Sequence, residues 1–356
     1  MEYPNLLHLG FREIDISDHF FDSLKEDYED FENWYERKKA YHEDAYVQYD
    51  NDNNLQGFLY IKMEENKIVE DVIPNIVAER ILKVGTFKID AHGTRLGEQF
   101  LKILFDYAID KNADVCYVTI FEKYEGLIKL ISRYGFKEWG IKEKDGKKEK
   151  VFLKNMRTYV GDIYEDYPFV TCKGTRKYLL SVYPKYHTKL FPESILTNES
   201  RNIIKDISYT NSIQKNYVCS MQGVEAIKKG DLLVMYRTAE NGRTAEYSAV
   251  ATTVCTVTDV RLQDSFKSFE DFYSFTSRYT VFDQEDLEFW YRRGGLKVIS
   301  MVYNFPLKKR IVRHELIERI GLNRDNYWGF FPLSDDEFVD IVMQGQAIEY
   351  IRQNEY

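Results

Sequence analysis

Apolar and polar positions recur along this chain with two periods, and the switches between them mark out its elements. Residues 10–15 (GFREID) read as a short strand, and Ser17-Asp18 cap a polar, aromatic-studded helical stretch to about Lys39. Two alternating runs, 45–49 and 55–63, flank an Asp/Asn cluster and predict a β-hairpin. Residues 80–90 alternate again. From Leu96 the period becomes helical, with Phe100, Leu101, Ile103, Leu104, Tyr107 and Ala108 on the same face. A strand at 115–121, a helix EGLIKLISRY stopped at Gly135, and a hairpin over 137–156 turning at Asp145-Gly146 complete the first half.

Residues 159–175 hold Pro168 and Gly174, show no period and read as a connector between domains at 1–158 and 176–356. Beyond it come a strand at 177–183, a proline stop and a short helix. A turn at Gly230-Asp231 opens a strand, an Asn241-Gly242 turn leads to a second long one, and LKVISMVYNFPLKKRIV adds more β-structure. HELIERIG reads as a short helix ending at Gly321. Short helices among antiparallel strands predict an α+β barrel.

Composition narrows the function classes. A length of 356 residues suits two domains, and 44% hydrophobic with 30% charged residues suits folded cores. Seven prolines and 19 glycines exclude collagen-like and mucin-like chains. The formal charge of −9 excludes a polybasic nucleic-acid binder, so any such contact has to be a local patch. Cys116, Cys172, Cys219 and Cys255 form no CxxC and no Cys/His pair, so no metal site or disulfide framework is expected, and a reducing, cytoplasmic setting fits. No run approaches the roughly 18 apolar residues of a membrane span, and the opening residues are acidic where a signal peptide is basic.

The element order of the first half, the strand LQGFLYIKM after an acidic turn, the strand–glycine loop–helix unit at 82–108 and LIKLISRYGFKEWG together resemble the GNAT superfamily of N-acetyltransferases. A glycine-bearing loop that opens a helix offers unpaired N–H groups to an anion such as a pyrophosphate. The family loop is usually Q/R-x-x-G-x-G/A; here it reads His92-Gly93-Thr94-Arg95-Leu96-Gly97, with Arg95 at the middle glycine's place. The resemblance implies an α/β domain, a GNAT-like mixed sheet with flanking helices, that uses acetyl-CoA as cosubstrate. It implies Phe87 and Ile89 of the strand, with His92, Gly93, Thr94, Arg95, Leu96 and Gly97, as the acetyl-CoA contacts.

Two residues are candidates for proton transfer. Glu122 stands at a strand end that faces substrate in such a sheet, and Tyr134 is the tyrosine near the position, here Ile131, of the family's thiolate-protonating residue. The bland readings are a solvated strand-end carboxylate for Glu122, packing for Tyr124 and Tyr134, and a solvated face for the charged hairpin Lys142–Lys150.

In the second half, LLSVYPKYHTKLF and the pair GDLLVMYRT and YSAVATTVCTVTDV resemble ASCH/EVE domains of the PUA-like barrel group, which is associated with RNA, modified bases and nucleotides. The G-x-K-x-x-E-x-R pattern of ASCH domains is absent. Tyr236, Arg237 and Trp328 are candidates for a base-reading pocket, beside Tyr217 and Tyr327, and Lys308 and Arg310 for a phosphate-contacting patch. The leading reading is an acetyl-CoA-dependent N-acyltransferase whose PUA-like domain recognises the substrate, with RNA, a nucleotide or a protein amine as possible acceptors. A catalytically degenerate regulatory protein, or an RNA-binding module scaffolded by the first domain, stands as the alternative.

Overall fold

Antiparallel pairing of Asp44–Tyr49 (β2) with Leu55–Met63 (β3) seeds a seven-stranded sheet in the computed structural model, which describes residues 6–352 other than 51, 91, 92, 145, 198 and 200–207. Leu6–Gly10 (β1), Ile81–Ile89 (β4), Val115–Ile120 (β5), Lys137–Lys144 (β6) and Lys147–Asn155 (β7) complete it in the order β1-β2-β3-β4-β5-β7-β6. Only β4 and β5 run parallel, joined by the helix Leu96–Asp110 (α3). The chain divides into two compact units, Met1–Thr158 and Tyr159–Tyr356.

The strand expected at 10–15 lies earlier, because Gly10 is the last residue paired with β2. Phe11 and Ile14 then turn inward, and the buried Tyr35 hydroxyl donates to both their carbonyls, at 3.1 and 2.9 Å. The helical stretch to Lys39 is broken into Asp22–Asp27 (α1) and Phe31–Ala40 (α2). Phe11, Phe20, Phe21, Phe31, Tyr35 and Phe58 pack together as a core over this part of the sheet. Helix α3 forms as its apolar period predicts, burying Phe100, Leu101, Leu104, Phe105 and Ala108. A small arm, Ile68–Val69 paired with Ile76–Val77, was not foreseen. Helix α4, Glu125–Arg133, ends before Gly135, whose φ of +89° suits a glycine.

The second unit holds a six-stranded sheet of Lys177–Val182 (β8), Gln214–Cys219 (β9), Leu232–Arg237 (β10), Val250–Leu262 (β11), Lys297–Val312 (β12) and Phe330–Leu333 (β13). Its order is β9-β12-β11-β10-β8-β13, with only β8 and β10 parallel. The barrel expected from the sequence is not seen to close: among the described residues no ladder joins the end strands β9 and β13. The predicted proline stop forms the helix Pro184–Leu190 (α5), with Pro184 in its first turn.

Residues 159–175 are built into this second unit. Tyr167, Phe169 and Val170 are buried, the Asp166 carboxylate accepts the N–H groups of Val160 and Gly161 at 2.7 Å each, and Val170–Thr171 pairs with Ile351–Arg352.

Candidate functional site

Strands β4 and β5 pair only from Ile81↔Val115 to Val84↔Val118. Beyond that point β4 stays on β3, as far as Ile89↔Gly57, while β5 stays on β7, as far as Ile120↔Lys150. The two strands therefore part, and the edge of β4 after Val84 has no strand partner on that side among the described residues. Gly85 belongs here because a Cβ would lie 2.5 Å from the Tyr60 ring. In front of the parting is a cavity of about 310 Å³, walled by Tyr28, Phe31, Trp34, Tyr60 and Phe121. A second groove, about 840 Å³, runs from Phe87 and Ile89 to Gly93, Arg95 and Gly97 and shares Leu24, Phe87, Tyr124 and Leu127 with the cavity.

The groove is where the loop residues meet. His92 lies outside the described residues. Gly93 has φ +83° and open space around it. Arg95 takes the left-handed conformation (φ 60°) as N-cap of α3, its carbonyl accepting the Glu98 N–H at 3.0 Å, and among the described residues no side chain caps the helix; a helix start of this kind is favourable ground for an anion. The Arg95 guanidinium lies 3.1 Å from the buried Glu98 carboxylate, folded back on its own helix. Leu96 is buried against Gly57, where a Cβ would lie 2.7 Å from its Cδ2, and Thr94 is half-buried in the turn before it. A Cβ on Gly97 would come within 2.6 Å of Leu130 Cδ2 and 3.3 Å of Ile89 Cδ1. Gly97 thus lets α3 and α4 approach, a role the loop motif alone did not reveal.

The two residues read as proton-transfer candidates sit elsewhere. Glu122 is 80% exposed and forms an ion pair with Lys150 at 2.9 Å, which holds its carboxyl below the usual range. Tyr134 is fully buried at the C-terminal end of α4, its carbonyl accepting from Lys154 Nζ, and it lines neither the cavity nor the groove.

What the cavity holds instead is Glu149. It is buried, and its Oε1 accepts from the Tyr28 hydroxyl at 2.5 Å and from Thr119 Oγ1 at 3.0 Å. Both bonds fall on Oε1, and among the described residues no hydrogen bond to Oε2 is seen. Burial, then the adjacent Glu149 charge, pushes the Tyr28 phenol far above its ordinary value, so it stays a donor. Tyr124, at the junction of cavity and groove, donates to Asp27, and Lys123 also pairs with Asp27. Burial and that carboxylate raise the Tyr124 pKa. Sequence reading missed Glu149 by treating 142–150 as solvated; the signal was its two-residue spacing from the buried Val151.

In the second unit Tyr236 and Trp328 do come together, ring centroids 5.3 Å apart, on a cavity of about 700 Å³. Tyr217 and Tyr327 line it as well, with the unforeseen Tyr183, Tyr186, Phe282 and Trp290. Among the described residues no carboxylate lines it, and its one charged residue is Arg313, whose guanidinium sits 4.4 Å from the Trp328 ring. The other basic candidates are not part of it. Arg237 is buried and paired with Glu199 and Glu240, Lys308 pairs with Glu349 at 2.6 Å, and Arg310, whose pKa burial lowers, donates to the Glu193 carbonyl.

Among the described residues no cluster of three or more His, Cys, Asp or Glu side chains could hold a metal, and no helix is long and apolar enough to cross a membrane.

The chain matches no family model and no curated protein. Solved structures do resemble it. A putative phosphinothricin N-acetyltransferase is 20% identical over 32% of this chain and 68% of its own, with a TM-score of 0.25. A GNAT family acetyltransferase from Elizabethkingia anophelis, with acetyl-CoA bound, is 11% identical over 43% of this chain and 99% of its own, with a TM-score of 0.28. A mutant of ZmASCH from Zymomonas mobilis is 10% identical over 47% of this chain and 95% of its own, with a TM-score of 0.32.

Proposed function

We propose that the first unit transfers an acetyl group from acetyl-CoA to an amine, as in the GNAT enzymes that its sequence resembles. The observation that carries this reading is the parting of β4 and β5 beside a cavity whose buried carboxylate, Glu149, is anchored through Oε1. The residues fit the cosubstrate: the unpaired edge of β4 offers backbone donors and acceptors to an extended amide chain, and the uncapped start of α3 lies on the same groove. Bound there, acetyl-CoA supplies an activated acyl carbon. Glu149 Oε2 takes the proton from the incoming ammonium, so that a neutral amine attacks. Tyr28 and Thr119 hold that carboxylate in place. Tyr124, on both cavity and groove, is positioned to return a proton to the departing thiolate. Glu149 and Tyr124 replace Glu122 and Tyr134 in these roles.

The second unit, in the PUA-like role suggested by its sequence, recognises a planar ring such as a base or nucleotide. The aromatic cavity with Arg313 supports a single-ring site, whereas Lys308, Arg310 and Arg237 do not line it and do not support a phosphate-tracking face.

The test incubates the full-length protein with labelled acetyl-CoA and cell extract and follows the label into RNA, protein and small molecules. Label in one amine-bearing fraction, lost in Glu149→Gln, is the expected result. No acetyl-CoA binding by calorimetry overturns the reading.

A further inference from the structure

The charges around the acceptor cavity are uneven. Arg37, Lys38, Lys62, Lys83, Lys142 and Lys144 line it, against the carboxylates of Asp30 and Glu149. This is a local reversal in a chain of net charge −9. Three of the lysines converge. Lys62 and Lys83 are directly paired across β3 and β4, and Lys142 lies on the edge strand β6. The compensating acids are shared: Glu64 lies 3.1 Å from Lys62 and 3.7 Å from Lys83 and also accepts from the Tyr117 hydroxyl at 2.6 Å. Lys142 pairs with Asp71 at 2.5 Å. Neither Glu64 nor Asp71 lines the cavity itself.

On this arrangement, and resting on the acyltransferase reading, we infer that the acceptor is a small amine that also carries an anionic group, a carboxylate or a phosphate, held by Lys62, Lys83 and Lys142. The amine end goes to Glu149, the buried anionic group of the cavity, and the anionic end goes to the lysines. The aromatic walls formed by Tyr28, Phe31, Trp34 and Tyr60 take an apolar body between them. The volume, about 310 Å³, is that of a small-molecule site. Burial, and then the neighbouring Lys142, lower the Lys83 pKa, so an incoming anion relieves a crowding of positive charge. A polycationic acceptor meets six lining cations against two lining carboxylates, with Glu43, Glu64 and Asp71 paired to the cations from outside the lining, and is disfavoured.

The experiment uses full-length protein, acetyl-CoA and acceptors that differ by one anion: tyramine against tyrosine and ethanolamine against O-phosphoethanolamine, with spermidine as the polycation. The anionic member of at least one pair is expected to show kcat/KM roughly tenfold or more above its partner, with spermidine lowest. Lys83→Gln and Lys142→Gln should each lower that ratio about tenfold, through KM rather than kcat. Equal ratios, a preference for tyramine, ethanolamine or spermidine, or a ratio unmoved in both variants overturns the inference. If acetyl-CoA binds but no acceptor turns over, calorimetric binding of the same pairs decides it, and equal affinities or none count against it. Acetyl-CoA binding without the anion preference removes the acceptor class alone; absence of acetyl-CoA binding removes the acyltransferase reading and the acceptor class with it.

Discussion

Tyr28 and Glu149, 121 residues apart, meet through a 2.5 Å hydrogen bond from phenol to carboxylate Oε1. The break between α1 and α2 brings Tyr28 over the sheet, and the hairpin β6–β7 delivers Glu149 beyond the end of β5. If that carboxylate removes the acceptor's proton, Glu149→Gln lowers kcat by about 10²- to 10⁴-fold and leaves the calorimetric affinity for acetyl-CoA unchanged. Tyr28→Phe should cost less, about tenfold, because Thr119 still holds the same oxygen. A Glu149→Gln enzyme with full turnover would remove the base from the cavity. Glu122→Gln, which breaks an exposed, solvent-screened ion pair, should leave stability and turnover nearly unchanged.

The regular elements were legible wherever period and turn chemistry agreed. The β2–β3 hairpin, α3, β5, α4 and the β6–β7 hairpin all stand where the sequence placed them. The first strand was displaced because Phe11 and Ile14 alternate like strand residues but serve as inward anchors of a turn. The cavity was harder to read. Its shape comes from the ladder ending at Val84↔Val118, a tertiary event with no local signature. Glu149 was hidden among four lysines between 147 and 154, where charge density outweighed the alternation that points it inward. Tyr134 drew attention by position in a motif, yet burial places it in the core.

Gly97 carries a different prediction from the one its motif suggests. A methyl group there meets Leu130 Cδ2 at 2.6 Å, the far end of a half-buried side chain that lines the groove. Gly97→Ala should therefore leave the fold intact, costing about 1 kcal/mol, and turn Leu130 into the groove. Acetyl-CoA affinity is expected to fall roughly tenfold in Gly97→Ala and to recover when Leu130→Ala is added, a coupling that calorimetry on the double-mutant cycle reads directly. Additive losses would mean that the two side chains do not meet.

His187 gives the second unit a pH signature. It is fully buried on α5 and shares a hydrogen bond with Thr252 at 2.8 Å. Burial, with Arg237 and Arg310 nearby, lowers its pKa to about 3 from 6.5. The folded state therefore refuses a proton that the unfolded state accepts. Above about pH 6.5 the group is silent, and from there down to about pH 3 stability falls, by up to about 1.4 kcal/mol per pH unit. Urea midpoints at pH 7 and pH 5 should drop less in His187→Gln than in the unchanged protein. Parallel drops would show that His187 is protonated in the fold.

The aromatic cavity of the second unit yields the last prediction. Trp328 and Tyr236 line it with their rings packed together, and Arg313, over the Trp328 ring, supplies the only charge among the described lining residues. Stacking a base on such a face is worth roughly 1–3 kcal/mol. Trp328→Ala should weaken binding of AMP, CMP, GMP or UMP about tenfold or more, read by fluorescence titration or calorimetry. Arg313→Ala should weaken the nucleotide more than the corresponding nucleoside, because only the former carries the anion that a guanidinium would meet. Lys308→Ala, whose ammonium is paired with Glu349 away from the cavity, serves as the comparison and should leave affinity as it was. If all three variants bind alike, the rings form packing and the cavity reads no base.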